Sequence, residues 1–157
     1  MKIKGLKENF NDYKKISLFI STCHCSGKCW KELSMKDFCQ NSHLDEFDDI
    51  EVTPEEIFDL YKSNKLVESL VIGGREPFDD FNDIYDLIEY FREYTNDDIV
   101  IYTGFYKNEI KEYIDKLSVF TNIIIKYGRF IPNDYKIHDK ILGVDLASSN
   151  QYAERIS

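Results

Sequence analysis

The chain has 157 residues, enough for one domain with a core of ordinary size, and its 43% hydrophobic content with 11 Tyr and 11 Phe marks it as folded. Against 20 basic residues stand 29 acidic ones, a net charge of −9 with no Lys/Arg stripe to offset it, which disfavours nucleic acid as a partner. No stretch approaches the ~18 consecutive apolar residues of a membrane span, and residues 1–8 (MKIKGLKE) lack the apolar run of a secretory signal, so no membrane and a reducing, cytoplasmic setting are expected.

Residues 15–21 (KISLFIS) read as a buried strand that leads into four cysteines, Cys23, Cys25, Cys29 and Cys39, within 17 positions. The last three make a C-x3-C-x9-C run. Three thiolates can hold three irons of a [4Fe-4S] cluster and leave the fourth open to a small molecule. In an extended chain, residues two apart share a face, so geometry does not exclude Cys23. Two ligands one residue apart nevertheless have little slack to reach different irons, whereas Ser26, Gly27 and Lys28 give the C-x3-C pair more. This favours Cys25, Cys29 and Cys39. A four-cysteine site, iron-sulfur or structural zinc, is the competing reading, although the paired C-x2-C or C-x4-C knuckles of zinc sites are missing. A disulfide fits the expected compartment poorly. His24 could replace a cysteine as ligand, Trp30 reads as hydrophobic cover, and His43 and His138 read as surface or packing residues. The acidic run at 45–51 lacks calcium-loop spacing and reads as a solvated loop.

Further on, Thr53-Pro54-Glu55-Glu56 announces a helix through an N-cap Thr, Pro at the first helical position and Glu three after the cap. Ile57, Leu60 and Tyr61 give it an apolar face. Residues 66–72 (LVESLVI) form the next strand, ending in Gly73-Gly74; Phe81, Ile84, Leu87, Ile88 and Phe91 then recur at helical spacing after Pro77. A third strand, 99–103 (IVIYT), precedes Gly104 and a helix carrying Ile110, Tyr113, Ile114 and Leu117. A fourth, 122–127 (NIIIKY), stops at Gly128. Short β-branched runs alternating with helices imply βα units and a mainly parallel sheet with both faces covered. A full eight-stranded barrel takes roughly 250 residues, so the expected fold is α/β, a partial, open βα barrel in a single domain spanning 1–157. Ligands of such sheets collect at the C-terminal strand ends. The cysteine loop, Gly73-Gly74-Arg75-Glu76-Pro77, Tyr102-Thr103-Gly104 and Gly128-Arg129 all fall there. Bare backbone at Gly73-Gly74 allows close approach of a ligand, and the Glu76 carboxylate beside an iron-sulfur corner suits a cationic amine, such as that of S-adenosylmethionine. A plain β-to-α turn would use the same residues.

These motifs together resemble the radical S-adenosylmethionine proteins, and within them the activating protein of the anaerobic ribonucleoside-triphosphate reductase. Phe38-Cys39-Gln40-Asn41 resembles the aromatic-Cys ending of the family's C-x3-C-x2-C loop, and Gly73-Gly74-Arg75-Glu76-Pro77 approximates its Gly-Gly-Glu/Asp-Pro motif. Ile101-Tyr102-Thr103-Gly104 looks like the third strand and its turn. Gly128-Arg129-Phe130-Ile131 is similar to the Asp-Gly-Arg-Phe segment, with Tyr127 in place of the acid. Ala147-Ser148-Ser149-Asn150-Gln151 is similar to the Gly-Ser-Ser-Asn-Gln near the end of these activases. Two features depart from the pattern: the second cysteine gap is x9 where the family has x2, as if residues 31–37 were inserted, and Arg75 interrupts the Gly-Gly-Glu motif. A loop extension of that size costs little closure entropy.

The resemblance implies a [4Fe-4S] cluster on Cys25, Cys29 and Cys39, and S-adenosyl-L-methionine held by Phe38, Gly73, Gly74, Glu76, Tyr102 and Thr103. It also implies an electron donor such as a flavodoxin, and a 5′-deoxyadenosyl radical that abstracts hydrogen from a glycine of a glycyl-radical reductase. A small-molecule radical enzyme and a non-catalytic iron-sulfur module are the alternatives. An open barrel suits a macromolecular substrate better than an enclosed metabolite.

Overall fold

The computed structural model describes residues 1–34 and 39–157. Among them the elements follow in the order β1 (Lys2–Asn9), β2 (Ser17–Thr22), α1 (Lys28–Leu33), β3 (Ile50–Glu51), α2 (Pro54–Ser63), β4 (Ser69–Gly74), α3 (Phe81–Tyr94) and β5 (Asp98–Tyr102). Then come α4 (Lys111–Leu117), β6 (Ile123–Tyr127), β7 (Ile137–Asp139), β8 (Val144–Leu146) and β9 (Tyr152–Arg155).

The described strands of the main sheet run β3-β1-β2-β4-β5-β6-β9. At its centre β2, β4, β5 and β6 are mutually parallel, as the βα repeat predicts. The flanks differ from that pattern. β1 joins β2 antiparallel, β3 joins β1 antiparallel, and β9 closes the far side antiparallel to β6. β1 (KIKGLKEN) reads poorly as a strand because six of its eight residues are charged, Gly or Asn, and its pairing is supplied by β2.

Alternation along the central strands sorts the side chains into two layers. Leu18, Ile20, Leu70, Ile72, Ile99, Ile101, Ile123, Ile125 and Tyr127 face one side, where α2, α3 and α4 bury Ile57, Phe58, Ile84, Leu87, Ile88, Phe91, Ile114 and Leu117 on them. Val71, Val100 and Ile124 face the other side, packed with Tyr13, Leu142, Leu146 and Ala153. The helical layer thus leaves the inner face to the β1–β2 loop and the β7–β8 hairpin, and a cavity opens along it.

Local signals decide the element ends. The Thr53 capping box is formed as the sequence predicts: the Thr53 hydroxyl accepts from the Glu56 amide and the Glu56 carboxylate accepts from the Thr53 amide. The strand expected from residue 66 starts at Ser69, because the Asn64 side chain accepts from the Leu66 amide and the Asn64 carbonyl from Val67, closing a turn. The helix after Pro77 opens as a 3-10 turn over Pro77–Asp80 before α3 begins. The acidic run at 45–51 is more than a solvated loop: it includes β3, an Asp45–Arg75 ion pair and a 2.7 Å Lys4–Asp49 pair. No helix among the described residues is long and apolar enough to cross a membrane.

Candidate functional site

The cavity, about 350 Å³, is lined at the C-terminal strand ends by Cys25, Cys29, Cys39, Trp30, Gly74 and Glu76, and it runs along the inner sheet face past Tyr102 and Lys126 to Asn9, Asn11 and Asp12. The parallel strands explain the convergence. Equal strand polarity delivers the loop after β2, the turn after β4, the turn after β5 and the segment after β6 to one end of the sheet.

Each thiol reaches the cavity by its own support. Cys25 leaves β2 in an extended loop, and the Gly27 amide donates to its Sγ at 3.3 Å. Gly27 adopts φ 71° and starts α1, with Trp30 folded so closely over it that a Cβ there would collide with the indole. Cys29 sits on α1 against bare backbone: a Cβ at Gly104 would lie 2.7 Å from its Sγ. Burial pushes both thiols up in pKa, and the amides of Gly27 and Phe130 act against that rise. α1 is too short to hold itself. It is fastened by Arg129, which donates to both oxygens of Glu32 at 2.7 and 3.0 Å and to both oxygens of Glu109 at 2.7 and 2.8 Å, while its guanidinium stacks over Tyr106. Cys39, on the far side of the long spacer, lies where Arg75 Nη1 donates to its Sγ at 3.7 Å.

Cys23 points elsewhere. It bonds to Asp49, and burial first, then that carboxylate, pushes its thiol up to about 11. It is absent from the described cavity lining, as is His24, whose Nδ1 pairs with Asp80 at 2.6 Å.

Glu76 is 6% exposed. Its Oε1 accepts from the Thr103 hydroxyl at 2.6 Å and the Phe78 amide at 3.2 Å, and its Oε2 accepts from the Gly104 amide at 2.8 Å. Burial raises its carboxyl to about 7 against these three donors. The inserted Arg75 therefore leaves the carboxylate at the cavity and directs its own side chain, which also lines that cavity, to Asp45 and Cys39. Gly74 has φ 82° and abuts Ser21, so any side chain there is strained. Gly73 lies behind the lining, where a Cβ would meet Phe19 at 3.1 Å and Tyr102 at 3.2 Å. Tyr102 and Thr103 both line the cavity. Phe38 lies outside the described residues.

The sequence reading missed Lys126. It reads as an interruption of an apolar strand, yet alternation turns it onto the inner face, 7% exposed, with its ammonium donating to the Gly128 carbonyl at 3.3 Å. Burial lowers it to about 8, opposed by the charges of Cys29, Glu76 and Asp12. Its pairing across from Tyr102 in the parallel register is what places it in the cavity. The segment at 147–151 has an internal task. The Ile131 amide donates to Ser148 Oγ, Asn150 donates to the Arg129 carbonyl, and Gln151 donates to the Gly128 carbonyl, so this segment buckles the strand-end run 128–131 in place.

A [4Fe-4S] cluster needs thiolates around a space wider than one ion. Three thiols on three separate supports line one cavity, with bare backbone at Gly104 beside one of them, whereas among the described residues no three His, Cys, Asp or Glu side chains gather closely enough to hold a single metal ion. Residues 13–152 match the model of a family described as the 4Fe-4S single cluster domain. No match was found among curated proteins or among solved structures. The family match takes in all four cysteines and leaves only the two ends of the chain outside it, and the chain belongs to the 4Fe-4S single cluster domain family.

Proposed function

We propose that this iron-sulfur domain is a radical S-adenosylmethionine enzyme of the activase type, with Cys25, Cys29 and Cys39 as cluster ligands and a glycyl-radical reductase as its protein substrate. The observation that carries the reading is the meeting of these three thiols with the buried Glu76 carboxylate at one cavity, with Cys23 turned away from it. A reduced cluster held by Cys25, Cys29 and Cys39 would supply one electron to the sulfonium of S-adenosylmethionine, breaking its C–S bond to give methionine and a 5′-deoxyadenosyl radical able to take a hydrogen atom from glycine.

The chain's own residues have to bind and orient. Glu76, held by Thr103, Gly104 and Phe78, presents a fixed carboxylate to an ammonium group. Lys126, deeper along the same cavity, presents a cation to a carboxylate. An amino acid moiety carries both charges, and a buried pair of opposite sign, one on the turn after β4 and one on β6, would orient it rather than merely attract it. Tyr102 and Trp30 supply apolar walls that exclude water around the reacting groups.

The polar groups at the other end of the cavity, Asn9, Asn11 and Asp12, favour a second reading, a radical enzyme acting on a small polar metabolite. One experiment separates the readings. The protein is reconstituted anaerobically with iron and sulfide, reduced with dithionite or a flavodoxin, and mixed with S-adenosylmethionine with and without the reductase. A 5′-deoxyadenosine product and a glycyl doublet in the EPR spectrum are expected. 5′-Deoxyadenosine without a protein radical, stimulated by a small substrate, would replace the activase reading. No 5′-deoxyadenosine at all would leave an electron-carrying module. In the same preparation Cys25→Ala, Cys29→Ala and Cys39→Ala should each lose the cluster signal while Cys23→Ala keeps it; retention in Cys39→Ala would refute the ligand assignment.

A further inference from the structure

The two departures from the activase pattern, the long gap before Cys39 and the Arg inserted after Gly73-Gly74, meet in space. Arg75 follows β4, is buried along most of its side chain, and forks. One arm, Nη1, donates to Cys39 Sγ at 3.7 Å, and the other, Nη2, pairs with Asp45 six residues further on. Asn41, between them, donates from Nδ2 to the Gly74 carbonyl next to Arg75. The stretch so gripped is locally wound: the Ser42 amide donates to the Cys39 carbonyl at 3.1 Å and the Leu44 amide to the Asn41 carbonyl at 3.1 Å. Arg75 Nε is buried and has no hydrogen-bond partner among the described residues. An unmet buried donor is costly, and nothing in a simple β-to-α turn calls for it. Both remaining arms of the fork are committed to the segment that carries Cys39.

We propose that Arg75 is the positioning residue that docks the Cys39 segment onto the end of β4, replacing the short tether of a C-x2-C spacing, and that its guanidinium on Cys39 raises the reduction potential of the cluster. The second half rests on the reading of Cys39 as a cluster ligand; the first does not. The physical ground for the first half is that lengthening a spacer costs little closure entropy but fixes the position of its end less tightly, so a planar fork bonding two points of the segment restores the placement. For the second half, reduction by one electron adds one negative charge to the cluster without making or breaking a bond. A fixed cation donating to a ligand sulfur stabilises the reduced form more than the oxidised one.

The test uses the full chain with Arg75→Gln, Arg75→Lys and Asp45→Asn, each confirmed as folded by circular dichroism. In the cluster-free protein, hydrogen exchange at the Ser42 and Leu44 amides should rise about tenfold in Arg75→Gln and in Asp45→Asn; unchanged exchange in both overturns the docking. In the reconstituted protein, an EPR-monitored titration with dithionite should show Arg75→Gln reduced at a more negative potential. A tenfold shift in the reduction equilibrium, about 59 mV for one electron, is expected. Arg75→Lys, which keeps the charge, should recover part of that shift. Equal midpoints in wild type and Arg75→Gln overturn the tuning. Should Arg75→Gln fail to fold, the midpoint of Arg75→Lys lying below that of wild type supports the proposal, and an unchanged one overturns it. Cys39→Ala, run beside these, isolates the ligand reading: a cluster that persists there refutes Cys39 as ligand, whatever the exchange data show for Arg75.

Discussion

Glu76 keeps its proton in the folded chain over a pH range in which the unfolded chain has lost it. Its folded value, about 7, lies above the ordinary 4.5, and burial is the cause, three hydrogen-bond donors notwithstanding. The folded state therefore binds the extra proton between those two values, and stability falls as pH rises through that interval. The contribution is whole below about 4.5 and gone above about 7, a change on the order of 3 kcal/mol. In urea denaturation of the cluster-free protein, wild type should lose that much between pH 5 and pH 8, and Glu76→Gln should show a flatter profile. A parallel slope in the variant would mean that another group carries the dependence. Lys126 has the opposite leaning, since burial lowers its value to about 8 and disfavours its charge. An anionic ligand in the cavity would offset that cost. Lys126→Met should leave the cluster-free fold as stable as wild type or more so, and, on the function proposed above, weaken S-adenosylmethionine binding about tenfold or more by calorimetry on the reconstituted protein.

Among the elements, α1 depends most on its neighbours. It has six residues, a left-handed Gly27 at its start with no side-chain cap, and a left-handed Ser34 at its end. Helices of that length do not persist unaided. Arg129 holds it through Glu32 and ties it to Glu109 beyond β5, and Lys28 reaches Glu109 as well, at 3.2 Å. Arg129 is buried, whereas Glu32 is half exposed. Loss of the arginine leaves carboxylates facing one another and should cost about 3–5 kcal/mol. Loss of Glu32 alone leaves Arg129 paired with Glu109 and should cost about 1 kcal/mol or less. Arg129→Met and Glu32→Gln compared by denaturant unfolding, with iron content measured after reconstitution, check this ranking. Equal costs would show that Glu109 contributes little.

Across the whole molecule, the end of the sheet opposite the thiols is held by Asp98. Its carboxylate accepts from Tyr13 at 2.9 Å and Lys15 at 2.6 Å in the β1–β2 loop, and from Arg155 on β9 at 2.8 Å. Burial would raise Asp98, but the bonds from Lys15, Arg155 and Tyr13 outweigh it and hold it at about 2. A depressed carboxylate stabilises above its ordinary value, near 3.8, and that stability fades as pH falls toward 2. Asp98→Asn should lose about 1–2 kcal/mol at pH 7, allowing for partial screening of Lys15 and Arg155, and the gap to wild type should close in acid. Since Asp98 ties the two antiparallel flanks to the parallel centre, hydrogen exchange in β1 and β9 should rise in the variant before exchange in β4 and β5 does. The open cavity and the −9 charge belong to this scale too: a docking protein would have to offer a basic face, and its affinity should fall with added salt.

Periodicity was enough to reveal β2, β4, β5, β6 and the helices α2, α3 and α4, because each strand is buried on both faces and each helix carries one apolar stripe. The capping box at Thr53 was legible for the same reason, a local pattern with a local cause. β1, β3 and β9 were not, since a flanking strand takes its order from the neighbour it pairs with and needs no apolar run of its own. The cysteines and Glu76 could be assigned to one rim from chain order alone, because parallel strands put all their exits at the same end. Which cysteines face the cavity was a different matter: spacing left Cys23 open, and it is Asp49, 26 positions away in the chain, that draws it off. Arg75 likewise reads as an interruption until Cys39 and Asp45 are seen on either side of its fork. Lys126 reads as a flaw in a strand until the register sets it inside the cavity. Local sequence carries local free energy, propensity and patterning. Ion pairs and buried charges draw theirs from residues that only the folded chain brings together.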